Sequence, residues 1–266
     1  MKLLLKLFGG CFTLVVVFVV LALGYFGLIP GLSSVLGADK PRDLGIRYTE
    51  ADRTSARAKS QIVYATLPES TPPEQSRVFS GSRPVSATFS SAEITSLLNN
   101  RPWRYYPYKN MQIKFNGDGS AEVSGMLDKS KVPGYCAAIG IPKEAANFAM
   151  KFLPPNPVFY VKGRAALTNN KLSLFEPEAF ELGRIPMPVS AFLALSGPKL
   201  VSSAFAASSD DMLTELSKVS NKKALIMNYI NSRMASFEGF FAKSAYFAED
   251  KLVFDGTLSK QEATVP

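Results

Sequence analysis

Residues 7–29 carry no charged side chain, and this run of 23 positions constrains the chain more than any other feature. As a helix rising about 1.5 Å per residue, it is long enough for the ~30 Å hydrocarbon core of a bilayer. Lys2 and Lys6 precede it, so the positive-inside rule keeps the N-terminus cytoplasmic and exports the remainder. The run exceeds the roughly 7–15 apolar residues of a signal-peptide core, which favours a retained, single-pass signal anchor in the cell membrane. Two alternatives stay open: cleavage before Ala38, after Val35-Leu36-Gly37, and a lipoprotein at Cys11, where the apolar stretch follows the cysteine instead of preceding it. The chain is therefore expected to divide into an anchor with its tether (1–37), a helix with a mobile linker (38–84) and an extracytoplasmic domain (85–266).

Thirty Lys and Arg against 22 Asp and Glu give a formal charge of +8, and +6 remains once Lys2 and Lys6 are set aside. A basic exported surface is drawn to anionic headgroups or anionic wall polymer, and a generic solubilising surface is the plain alternative. The chain has no histidine. That removes Ser-His-Asp and Cys-His activation and nearly every common zinc site. Ser220 and Lys223 share a helical face, but they sit in a Ser- and Lys-rich stretch that reads as a solvated junction. Asp210-Asp211 suits a helix N-terminus better than a calcium site, and Asn116-Gly117-Asp118-Gly119 reads as a turn. No phosphate loop or dinucleotide fingerprint is present. No enzyme, metal or cofactor is expected, and export argues against nucleic acid as a partner. Cys136 reads as a small buried apolar residue, with pairing to another chain as the alternative.

The periodicities give an α+β fold. Thr49 with Asp52 and Ser90 with Glu93 mark two capped helix starts, the second helix presenting Ile94, Leu97 and Leu98. Residues 31–47 read as a tether, 61–66 as a short strand and 67–84 as a mobile loop. Alternation predicts hairpins over 111–127 and 244–258, and strands over 158–167, 171–175 and 180–185. Residues 143–152 and 189–234 read as helical.

Three strands share one spacing: Val123-x-Gly125-x-Leu127, Val161-x-Gly163-x-Ala165 and Phe254-x-Gly256-x-Leu258. Side chains alternate with period two, so each glycine leaves a gap in an apolar face. The functional reading is a curved sheet whose groove, lined by these nine residues, takes an acyl chain. The structural alternative is close packing or strand coiling at each glycine. A second anomaly is the loop with Arg101, Trp103, Arg104, Tyr105, Tyr106, Tyr108 and Lys109, which contains the only tryptophan. Such a mixture suits a membrane or wall surface, unless Trp103 and Tyr106 anchor the core while the charges face water.

The stretches 89–99, 111–125 and 251–258 resemble a YpmS-like family of membrane-anchored bacterial extracytoplasmic proteins. They are also similar to tubular lipid-binding (TULIP-like) modules, loosely over residues 85–260. The resemblance implies an anchored domain in which a curved antiparallel sheet packs on helices and holds a lipid; it carries over no catalytic residue, and residues 189–234 have no counterpart in it. The expected function is non-catalytic binding of a membrane lipid or other apolar ligand. The alternative is an envelope scaffold that recruits a wall polymer or membrane protein through the 101–109 loop.

Overall fold

A computed structural model of the chain describes residues 17–25, 29, 31–141, 143, 146–147, 150, 157–188, 227, 230–231, 234–235 and 237–266. The expected helices over 143–152 and 189–234 lie largely outside the described residues, as do Ser220, Lys223 and Asp210-Asp211. Most of the expected membrane span lies there too. Residues 17–25 of it are helical and expose Val17, Phe18, Val19, Val20, Leu21, Leu23 and Tyr25. Among the described residues, no helix is long and apolar enough to cross a membrane.

The fold is α+β, built on a strongly curled antiparallel half-barrel. Helix α1 (Glu50–Ser60) starts at the expected capping box, with Thr49 bonded to the Asp52 backbone and Asp52 reaching back. The chain then forms β1 (Val63–Thr66), β2 (Arg77–Ser80) and β3 (Arg83–Ser90). Helix α2 (Ser91–Asn99) starts at the Ser90–Glu93 capping box. It is followed by β4 (Tyr108–Phe115), β5 (Ser120–Leu127) and the short helix α3 (Val132–Ala138). The remaining strands are β6 (Val158–Thr168), β7 (Lys171–Leu182), β8 (Ile185–Met187), β9 (Phe241–Ala248), β10 (Lys251–Leu258) and β11 (Gln261–Thr264). The large sheet has the order β3-β10-β9-β6-β5-β4, with β7 pairing β6 and β8. A separate three-stranded sheet runs β1-β11-β2, with β1 parallel to β11.

Turn chemistry explains the hairpins. Asn169 and Asn170 both take positive φ (49° and 58°) at the β6–β7 turn, and Gly119 does so (78°) between β4 and β5. Asparagine and glycine carry the least penalty in that region. The curl comes from register shifts in β9/β10 at Asp255/Gly256, in β6/β7 at Lys162/Gly163 and Ala166/Leu167, and in β4/β5 between Lys109 and Gln112. Each bulge adds local twist and bends its strand.

Helix α2 lies in the curl and joins two clusters. Ile94 packs on both; Leu97 packs on the one containing Val85, Phe89 and Phe254, and Leu98 on the one containing Ile113 and Phe115. Its polar side meets the edge of β4. The Phe115 N–H donates to Ser91 Oγ (3.1 Å), the Ile113 N–H to Thr95 Oγ1 (2.9 Å) and the Met111 N–H to Asn99 Oδ1 (2.9 Å). Asn99 Nδ2 donates back to the Met111 carbonyl at 2.8 Å, and Thr95 Oγ1 to that of Ile113 at 3.4 Å. Four helical residues rise about 6 Å and two strand residues about 6.6–6.8 Å, so three side chains match three alternate strand residues.

Three stretches depart from expectation. Residues 67–84 are not one loop, because β2 and the start of β3 occupy them, and the helix α3 and the strand β11 stand where none is expected. Thr95 is fully buried, so Thr95→Val leaves the Ile113 N–H without a partner. A denaturant melt of the detergent-solubilised chain should show a loss of about 1–3 kcal/mol, and Thr95→Ser should recover most of it.

Candidate functional site

The expected groove residues fall into two places. Val123 pairs across β5–β6 with Val161, and Val161 across β6–β7 with Phe180. Gly125 faces Phe159, which faces Leu182, and Ala165 faces Phe175. Leu127 ends the row opposite Tyr108. Phe254, Gly256 and Leu258 stand in the other arm, where Phe254 lies between Ala87 and Ala245 and is 6% exposed. Leu258 packs at the margin of that cluster.

The three glycines do not open gaps. A Cβ on Gly125 would meet the Met111 sulfur at 2.4 Å and the Phe159 ring at 2.9 Å. On Gly163 it would meet the Glu176 carbonyl oxygen at 2.7 Å, and on Gly256 that of Phe241 at 2.0 Å. Gly163 and Gly256 sit at bulges, where the neighbouring backbone takes the space a side chain would need. Their shared spacing therefore follows from strand curvature.

The arms differ in packing. Val85, Phe89 and Phe254 are buried, with α2 on them. Val123, Phe159, Val161, Phe175, Phe180 and Leu182 are each half-buried.

The aromatic-basic loop is built into the interior. Trp103 is 4% exposed, its Nε1 donates to Ser76 Oγ at 3.0 Å, and its ring centroid lies 5.6 Å from that of Tyr135. Tyr108 sits edge-on to Tyr106, Tyr135 and Phe159, and Tyr105 lies against Gly134. The bases are paired: Arg101 with Glu262 (3.2 Å), Arg104 with Glu69 (3.5 Å) and Lys109 with Asp128 (2.7 Å). The expected presentation of Trp103 to a membrane or wall is thus corrected. An apolar ring of that size gains more by filling the space beside Tyr135 than by facing water.

Glu262, 3% exposed, also accepts from Arg77 Nε at 2.7 Å. Burial pushes the Arg77 guanidinium below its ordinary pKa, and Arg101 adds to that shift while Glu262 opposes it. Lys109 and Ser130 hold the Asp128 carboxyl down at about 2. Burial raises the Cys136 thiol. Among the described residues, no three His, Cys, Asp or Glu side chains converge on a metal-sized space.

On the opposite side of β4, β6 and β7, the chain before α1 crosses the sheet. Arg42 binds Glu181 and covers Tyr160, beside a notch lined by Val158, Phe159 and Arg184 that encloses no room for a water-sized guest. The sequence gives no sign of this contact, because Arg42 and Glu181 are separated by 139 positions. No protein-family model, curated protein or solved structure matches the chain.

Gly256→Ala should destabilise the fold by about 1–3 kcal/mol, because backbone atoms of β9 must move. Gly125→Ala should cost less, since the flexible Met111 side chain can yield; melts of the two variants test this order. Burial lifts the phenols of Tyr106 and Tyr160 to about 12, and the Glu122 carboxylate, which accepts the Tyr160 hydroxyl, adds to the second shift. Unfolded tyrosine titrates near pH 10, so both groups bind more protons in the folded chain. Their contribution is complete below about pH 10 and disappears as pH rises through about 12. A Tm series read together with phenolate absorbance should show stability falling across that window.

Proposed function

We propose that the chain is a membrane-tethered, non-catalytic extracytoplasmic module that holds a lipid or other apolar ligand on the β5–β7 arm of its half-barrel. The observation that carries this reading is the contrast between the arms. One is packed by α2, whereas the other presents the cross-strand pair Val161–Phe180, flanked by Phe159 and Leu182 and each half-buried, with Val123 next to them at the margin of the Ile113 and Phe115 cluster that α2 covers. Removing an acyl chain from water on such a surface is worth about 0.8 kcal/mol per methylene. A curled antiparallel sheet around a helix is also the shape that the TULIP-like resemblance implies. The charge-free run 7–29 and the exposed apolar helix at 17–25 support tethering.

The scaffold alternative has less support. Its surface loop keeps Trp103 inside, and Arg101, Arg104 and Lys109 already face acidic partners.

The test is photo-crosslinking of the full chain in nanodiscs that contain a phospholipid with a diazirine in its acyl chain. Digestion and mass spectrometry should place label on peptides spanning 120–127, 158–168 and 171–182. Label confined to residues 1–37 would exclude an acyl-binding face on the domain.

A further inference from the structure

The segment that reads as a tether is fastened down. The Lys40 carbonyl accepts from Arg184 Nη2 at 2.9 Å. Arg42 holds both carboxylate oxygens of Glu181, with Nε–Oε2 at 3.0 Å, and its guanidinium lies 4.4 Å from the centre of the Tyr160 ring. Gln112 Oε1 accepts from the Leu44 N–H at 2.8 Å and the Ile46 N–H at 3.3 Å. The anchoring side chains belong to one row across the sheet, because Gln112 is in register with Ser124, Ser124 with Tyr160, and Tyr160 with Glu181. That row lies on the face opposite Val123, Val161 and Phe180, since neighbouring strand residues point to opposite sides. The segment thus crosses the outer face from the β7–β8 turn to β4. The Glu181 side chain is 13% exposed and the Arg42 side chain 41%, so the carboxylate end of the pair is largely shielded while the guanidinium is partly open to solvent.

The chain just before this strap is apolar and exposed. Leu32–Val35 forms one helical turn that packs against Gly24, while Val35 and Leu36 are 84% and 39% exposed. Together with Val17–Tyr25 they form surface suited to hydrocarbon and its boundary. Lys40 is four positions after Leu36, and a chain spans at most about 3.6 Å per residue. Lys40 therefore lies within about 14 Å of Leu36, roughly one and a half Debye lengths at 0.1 M salt, and the Arg184 guanidinium adjoins the Lys40 carbonyl. Both are cations at the end of the domain nearest that apolar turn.

We infer that residues 38–46 are a clamp that fixes the domain with its β7–β8 end against anionic lipid headgroups, an inference that rests on the tethered reading above. The clamp also sets the direction of the proposed ligand face. Strands β6 and β7 then run away from the bilayer, with Val158 and Leu182 at the near end and Thr168 and Lys171 about 33 Å farther out. A lipid chain leaving the bilayer meets Phe159 and Leu182 first.

The experiment uses the full chain in vesicles of phosphatidylcholine and phosphatidylglycerol, with Cys11→Ser and Cys136→Ser as background. An environment-sensitive dye is placed at Pro186→Cys or at Lys171→Cys, both exposed and outside the clamp. A quencher attached to lipid headgroups should dim the dye at 186 several-fold more than the dye at 171. Adding Arg42→Ala and Glu181→Ala should erase the difference. Equal quenching at the two positions in the unaltered clamp would overturn the inference. Trypsin gives an independent readout: cleavage after Arg47 should be slow in the vesicle-bound chain and much faster in Glu181→Ala. Equal rates would also overturn it. Oriented quenching without acyl cross-links on β5–β7 supports the clamp and removes the ligand reading, whereas failure to insert into vesicles removes tethering and the clamp's membrane role together.

Discussion

The open edge of β4 is the constraint on which the structure depends. A half-barrel leaves backbone donors and acceptors at its margin, and here that margin lies beside the core, where unsatisfied groups are costly. Ser91, Thr95 and Asn99 meet them from one side of α2, spaced four residues apart along the helix. The helix stands in for a neighbouring strand. Once its polar side is committed to β4, Ile94, Leu97 and Leu98 have little choice but to fill the curl. The same placement puts Glu93 where Lys59 and Ser55 of α1 reach it. Burial alone would raise the Glu93 carboxyl, but bonds from Lys59, Ser55 and the Ser90 backbone outweigh that and hold it low.

Curvature follows from bulges, and the bulges explain the glycines. At Gly163 and Gly256 a neighbouring strand presses its backbone into the space a side chain would occupy. The sheet thereby bends enough to wrap α2 on one arm while leaving the β5–β7 arm less covered. The difference between a packed arm and a half-buried arm is thus a consequence of where one nine-residue helix fits.

Long-range ion pairs fasten what the hydrogen-bond ladders leave loose. Glu262 brings Arg77 and Arg101 together, and the last strand continues into Val265, which is fully buried and bonded to Ser76 and Arg104. Arg42 and Glu181 do the same for the chain before α1. Desolvation offsets much of the Coulombic gain in such pairs, so their clearest consequence is position: breaking one strands a charge beside apolar surface.

The amino-acid sequence by itself determined the local events. Both capping boxes, the hairpin turns at Asn116–Gly119, Asn169–Asn170 and 249–251, and the alternating strands of β4, β5, β6, β9 and β10 are readable because each depends on residues within a few positions of one another. The nine residues expected to line a groove share the apolar side of their strands for the same reason, since side chains alternate with period two. Tertiary structure alone decided that β2 and β11, four residues each, are strands, since their only support is a partner more than 180 positions away. It also decided that Trp103 is interior, that Gly163 and Gly256 meet backbone, and that residues 40–46 are bonded across the outer face of the sheet. In each of these cases the deciding atom belongs to a distant part of the chain, and no local pattern encodes what will be packed against a residue once the sheet has curled.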